Sequence, residues 1–265
     1  MQNEEKLNTT NNISAPIGLD YFSGVSLYLQ LFVNSQHLGQ ATGFVIENNN
    51  KKYLIANWHV VSGRDTITGK PLSKTGGLPD KINIAHHSSS DFGTWWFINE
   101  PLYDGEKQLW LEHPKSTESN RIDVVVLPLT RTEEKLAFVP LNLNLAKSDM
   151  VAHPAQTVSI IGYPLGLSAD DKVLIPIWKT GHIASDVELN ENFFLIDATT
   201  KSGMSGSPVI MRSSGGFQTK NGSWIMAMAG MRELFLGVYS GRIHELSEIG
   251  KVWKPKLIEE ILNAR

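Results

Sequence analysis

The chain has no cysteine, which excludes disulfides, thiolate catalysis and Cys-ligated zinc. Long apolar runs are missing too. The longest, "WIMAMAGM" at 224–231, falls well short of the roughly 20 residues a membrane-spanning helix needs. Lys and Arg form no cluster, only scattered pairs such as Lys51-Lys52, and the formal net charge is −3. A nucleic-acid partner is therefore not expected, because such binders concentrate basic charge on one face. The opening stretch, "MQNEEKLNTTNN", has neither the basic nor the apolar region of a secretory signal. The expectation is a soluble, cytoplasmic protein with no membrane partner. No H-E-x-x-H or comparable spacing occurs. His86 and His87 are adjacent, so on a strand they point to opposite faces. Neither a metal nor a cofactor is expected.

What is present suits a globular protein. Of 265 residues, 41% are hydrophobic and 19% charged, enough for one large domain or two small ones without staples. Residues 1–20 are rich in Asn and Thr and read as a flexible tail. Short runs rich in β-branched and aromatic residues follow, broken by Gly, Pro, Asn and Asp. They predict strands over 26–33, 41–47, 53–58, 81–86, 95–99, 108–112 and 122–127. "ENNNKK" at 47–52 reads as a hairpin turn. The region 131–156 mixes charge, proline and weak periodicity, and connects two halves. A second series of strands is predicted over 157–162, 173–183, 193–198, 207–211, 235–240 and 249–253. The Gly-rich stretch opening 212–231 predicts a long hairpin or insertion. Only "PKLIEEILNAR" at the end has helical spacing, with Pro255 suited to a first turn. The fold expected is all-β, with two six-stranded antiparallel barrels and a C-terminal helix. Its divisions are a tail (1–20), a first barrel (21–135), a linker (136–156), a second barrel (157–254) and a helix (255–265).

Chemistry enters with "KSGMSGSPVI" at 201–210. Gly and Ser are common turn residues, so the stretch could be a turn and nothing more. A serine becomes a useful nucleophile only with a base, and the base needs an orienting acid. Of eight histidines, most have polar, loop-like surroundings. His59 is the exception, because "YLIANWHVV" places it at the end of a strand. It is either a locally bonded, partly buried histidine or a base held where a strand meets a loop. Asp123, in "RIDVVVLPL", precedes an apolar run. It either caps a strand edge facing water or is buried, and a buried carboxylate requires a partner such as an imidazole N–H. His59, Asp123 and Ser205 lie 64 and 82 residues apart. Their order is the one found in chymotrypsin.

With these segments, and with "ATGFVI", "IIGYPLG", "GMSGSPV" and "LGVYSGR", the chain resembles trypsin-like (chymotrypsin-fold) serine peptidases of the bacterial trypsin-like type. The likeness spans residues 41–242. It implies a cleft between two barrels, with Ser205 as nucleophile, His59 as general base and then acid, and Asp123 fixing the imidazole. It also implies an oxyanion hole from the N–H groups of Gly203 and Ser205. The specificity pocket would be walled by Thr199, Thr200, Ser240 and Gly241. None is acidic, which does not support a pocket for Lys or Arg; small polar walls suit several medium or apolar side chains. Arg242 reads as a solvated rim residue, and His182 aligns only loosely with a pocket histidine of some viral relatives. Met204 stands where zymogen-activated relatives carry an Asp that pairs with a freshly cut N-terminus, so no such activation is expected.

Two other readings are open. An α/β hydrolase needs Ser, then Asp or Glu, then His, but no Asp follows Ser205. A catalytically silent or partner-activated binding module would keep the fold. The partners expected are a protein or peptide substrate and, acting at the tail or at 212–231, a regulatory protein.

Overall fold

Period-two alternation of apolar residues builds two antiparallel sheet systems, one in each half of the chain. The computed structural model describes residues 19–264, except 92, 227–229 and 245. In the N-terminal half the strands run in the spatial order Leu136–Ala137, Lys81–Ser88, Ser26–Val33, Gln36–Asn48, Lys51–Ala56, Val125–Pro128 and Leu111–Glu112. Trp95–Pro101 adds to Lys81–Ser88, giving an eight-stranded sheet whose hydrogen-bonded path stays open. The C-terminal half closes into a six-stranded barrel. Its circuit is Thr157–Gly162, Ile177–Ile183, Phe193–Asp197, Ile249–Trp253, Arg232–Arg242 and Pro208–Ser213. The all-β expectation holds. The main sheet of the first half has eight strands rather than six because the region 111–137 contributes short pieces that prolong it, while Tyr103–Asp104 and Lys107–Gln108 pair separately.

Local chemistry accounts for the turns and ends. Asn49 and Asn50 both adopt positive φ, 51° and 59°, as a two-residue hairpin of the I′ type demands, and Asn tolerates this better than most residues. The hairpin joins Asn48 to Lys51 in register. Within 212–231 the described residues form a hairpin extension: Ser213 pairs with Arg232, and Gly216–Gln218 pairs with Trp224–Met226. Residues 1–18 of the expected tail lie outside the described residues. Asp20, also assigned to the tail, is anchored: its carboxylate caps the helix Tyr21–Val25 and accepts from Arg212 at 2.6 and 2.8 Å.

Each half has a core of its own, and a third cluster joins them. Phe44, Ile46, Ile55 and Val124 from the first half meet Ile161, Ile210, Phe235 and Trp253 from the second. The helix Lys256–Asn263 adds Leu257, Ile258 and Ile261 to that cluster. Phe44 is fully buried there, edge-on to Phe235 at 5.7 Å; such a side chain contributes about 1.5–3 kcal/mol by burial. His113 Nε2 donates to Glu260 at 2.6 Å and ties the first half to the helix. This shared core fixes the relative position of the two halves, on which any site between them depends.

Candidate active site

The strand Lys51–Ala56 gives way at Asn57 to one helical turn, Trp58–Ser62. Gly63, at φ 65°, ends it, and its N–H donates to the His59 carbonyl at 3.0 Å. His59 therefore sits on a short helix rather than at the strand's end, a one-turn element too brief to show as periodicity. Ala56 pairs with Val125, so the residues just after the first strand face those just before the second. That register brings His59 to Asp123.

The two are joined twice. Asp123 Oδ2 lies 2.8 Å from His59 Nδ1, and Oδ1 accepts the backbone N–H of His59 at 2.9 Å. Asn57 Nδ2 donates to the Asp123 carbonyl at 2.6 Å. Asp123 is 4% exposed, so it does not face water from a strand edge; its burial is offset by these partners. Burial disfavours the imidazolium of His59, but the charge and hydrogen bond of Asp123 outweigh it, with Asp65 adding to the effect. The net result is a pKa above the ordinary histidine value.

The serine turn is shaped by its glycines. Gly203 and Gly206 have φ of 95° and 89°, a region that L side chains avoid. A Cβ would lie 2.3 Å from the Tyr163 carbonyl oxygen at Gly203 and 2.0 Å from that of Thr42 at Gly206. Thr42 clasps the turn from the other half. Its N–H donates to the Ser205 carbonyl at 2.9 Å. Its hydroxyl donates to the Gly203 carbonyl at 2.8 Å and accepts the Tyr163 N–H at 3.0 Å. Met204 is fully buried in the barrel core. Among the described hydrogen bonds, neither the Gly203 nor the Ser205 N–H has a partner. Ser202 is exposed and Ser207 buried, while Ser205 is half-buried. Ser205, Gly203 and His59 line one cleft of about 400 Å³. No hydrogen bond joins Ser205 Oγ to His59 among those described.

A neighbouring cleft of about 640 Å³ is lined by His59, Asp123, Ser240, Gly241, Arg242 and Lys251, among others. Ser240 Oγ accepts from Trp253 Nε1 at 3.1 Å. Of the four expected pocket residues, Ser240 and Gly241 thus face the site. Thr199 is exposed and lines neither cleft, and Thr200 is buried. His182 is exposed on the strand Ile177–Ile183 and lines neither cleft. Arg242 reaches Glu248 at 3.8 Å on the rim. Three histidines expected in loop-like surroundings are buried instead: His86, His87 and His113. The strand Lys81–Ser88 is covered on both faces, so His86 and His87, pointing opposite ways, are both enclosed. Sequence reasoning missed Thr42 and Asn57. Both lie inside quoted segments, but a bond to a distant backbone leaves no pattern in one chain.

The trypsin-like peptidase domain model matches residues 41–216. The chain belongs to this family. Two solved structures illustrate the likeness. A serine endoprotease from Yersinia pestis superposes with a TM-score of 0.52 at 15% identity, covering 93% of this chain and 66% of that one. The Rv3671c protease of M. tuberculosis in its active form gives 0.49 at 17% identity, covering 91% and 81%. No curated protein sequence matches. The family supports peptidase activity on protein substrates. Among the described residues no helix is long and apolar enough to cross a membrane.

Proposed function

We propose that the protein is a serine endopeptidase using His59, Asp123 and Ser205. The observation that carries this is the double link between Asp123 and His59, with His59 and Ser205 lining one cleft. With Nδ1 held by the carboxylate, the imidazole keeps its proton there and presents Nε2 as the base. Ser205 Oγ attacks the scissile carbonyl carbon as His59 accepts the hydroxyl proton. The oxyanion so formed takes hydrogen bonds from Gly203 and Ser205 N–H. The C–N bond then breaks, His59 protonates the leaving amine, and an acyl-enzyme remains. Water, deprotonated by His59, attacks the ester; its proton returns to Ser205 Oγ as the acid leaves. The lack of a Ser205–His59 hydrogen bond among those described fits a free enzyme, where such contacts often tighten only with substrate bound.

Met204, apolar and enclosed, offers no charge to a new N-terminal ammonium. Activity is therefore independent of N-terminal cleavage, and the chain with residues 1–20 uncut should hydrolyse peptides. Incubating wild type and Ser205→Ala with a peptide library tests the reading. Mass spectrometry should find internal cleavages by wild type and none by the variant. Equal cleavage by both would overturn it.

A further inference from the structure

Resting on the peptidase reading, a further point concerns the residue on the acyl side of the cleaved bond. Its carbonyl must lie at Ser205 Oγ. By the resemblance, its side chain is directed between the segment leading to Gly203 and the strand carrying Ser240 and Gly241. Gly241 borders this space closely: a Cβ there would be 3.9 Å from Ser205 Oγ.

Tyr239 links these two segments from within the barrel core. Its backbone is fixed to the serine turn, donating to the Ser207 carbonyl at 2.9 Å and accepting from Gly206 N–H at 2.8 Å. Its hydroxyl is hydrogen-bonded to that of Thr200, in the segment on the opposite wall. The ring lies flat enough on the neighbouring strand that a Cβ at Gly250 would come within 2.4 Å of Cε2 and 2.9 Å of the hydroxyl oxygen. Gly250 is thus the residue that makes room for the ring. A deep empty pocket would leave its lining wet, yet Thr200 and Tyr239 are each 1% exposed.

We propose that Tyr239, latched to Thr200 and seated on Gly250, fills the depth of the specificity pocket and restricts the acyl-side residue to Gly, Ala or Ser. A leucine, phenylalanine or arginine side chain meets the ring and its hydroxyl before it can bring its carbonyl to Ser205. This is narrower than the medium or apolar preference that small polar walls imply.

Peptidyl diphenyl phosphonates that differ only in the acyl-side residue provide the test, together with a small alkyl fluorophosphonate that lacks such a side chain. In the wild type the Ala reagent should inactivate at least tenfold faster than the Leu or Phe reagents. In Tyr239→Ala the Leu and Phe reagents should gain at least tenfold relative to Ala. If that variant does not fold, Tyr239→Leu tests the same point, and the wild-type ranking decides on its own. Equal or faster reaction of the wild type with Leu or Phe overturns the proposal, as does an unchanged ranking in a folded variant. Failure of every reagent, the small fluorophosphonate included, overturns the peptidase reading itself and this inference with it. Labelling by the fluorophosphonate alongside the wrong ranking overturns only the inference.

Discussion

In the N-terminal half, His59 and Asp123 are held by bonds to each other. In the C-terminal half, Ser205 is held through its backbone, by two positive-φ glycines and the clasp of Thr42. The contrast follows from the chemistry proposed for each side. A base must keep one tautomer, and a carboxylate on Nδ1 enforces it. A nucleophile must keep its oxygen free, so its position comes from the turn, and the Gly203 and Ser205 N–H groups, with no partner among the described hydrogen bonds, are left for an oxyanion. A second contrast lies within the first half. His59 has its pKa raised by Asp123 against burial. His86, fully buried with both ring nitrogens lacking a hydrogen-bond partner among the described residues, is pushed down to about 4 by burial and by His87.

The largest effect should come from the freest side chain. Ser205→Ala should lose about 10⁶-fold in kcat while thermal unfolding barely moves, because no described hydrogen bond of the Ser205 side chain is lost. A large drop in Tm would mean the hydroxyl is structural. Asp123→Asn, on the tied side, should cost about 10⁴-fold in kcat by freeing the wrong tautomer. A loss below tenfold would break the contrast between the halves. Gly203→Ala should cost about 10²–10³-fold by turning an oxyanion donor away, with lower stability measurable by urea unfolding. If activity were unchanged, the glycine turn would not be what sets the site.

The two histidines give opposite pH signatures. His59 must be neutral to act as base, so kcat/KM should rise with pH through a midpoint above the ordinary value of about 6.5. The stability that protonated His59 gains from Asp123 is fully present below that ordinary value and lost as pH rises through the folded one. His86 contributes the reverse: stability present above about pH 6.5 and lost as pH falls toward 4, roughly 3 kcal/mol in all. Urea unfolding at neutral and acid pH should show His86→Leu losing less stability on acidification than wild type; parallel losses would contradict the assignment. The smallest effect is that of Asp65→Asn, which should move the kcat/KM midpoint downward, since Asp65 helps raise the His59 pKa.

Much of this was legible in the sequence because it is local or compositional. The strands Ser26–Val33, Thr157–Gly162 and Ile249–Trp253 end where their patterns end. "SGMSGS" announced a glycine turn, whereas the valines after Asp123 left its burial open and the fold decided it. What stayed hidden depends on register between distant segments. The turn that carries His59 is five residues long, below any helical period. Thr42 is 163 residues from the carbonyl it holds at Ser205. Tyr239 stands beside two expected pocket residues, but only the fold shows its hydroxyl meeting Thr200. The strand Leu136–Ala137, where a linker was expected, is two residues long, too short to alternate.

The central claim is that Ser205 is activated by a pair built in the other half of the molecule. Time-resolved labelling with a fluorophosphonate, read by intact mass and peptide mapping, tests it most directly in wild type, Ser205→Ala and Asp123→Asn. The account predicts one adduct on Ser205 in wild type, none in Ser205→Ala, and labelling slowed by orders of magnitude in Asp123→Asn. A folded wild type that stays unlabelled, or an adduct that persists in Ser205→Ala, would contradict it.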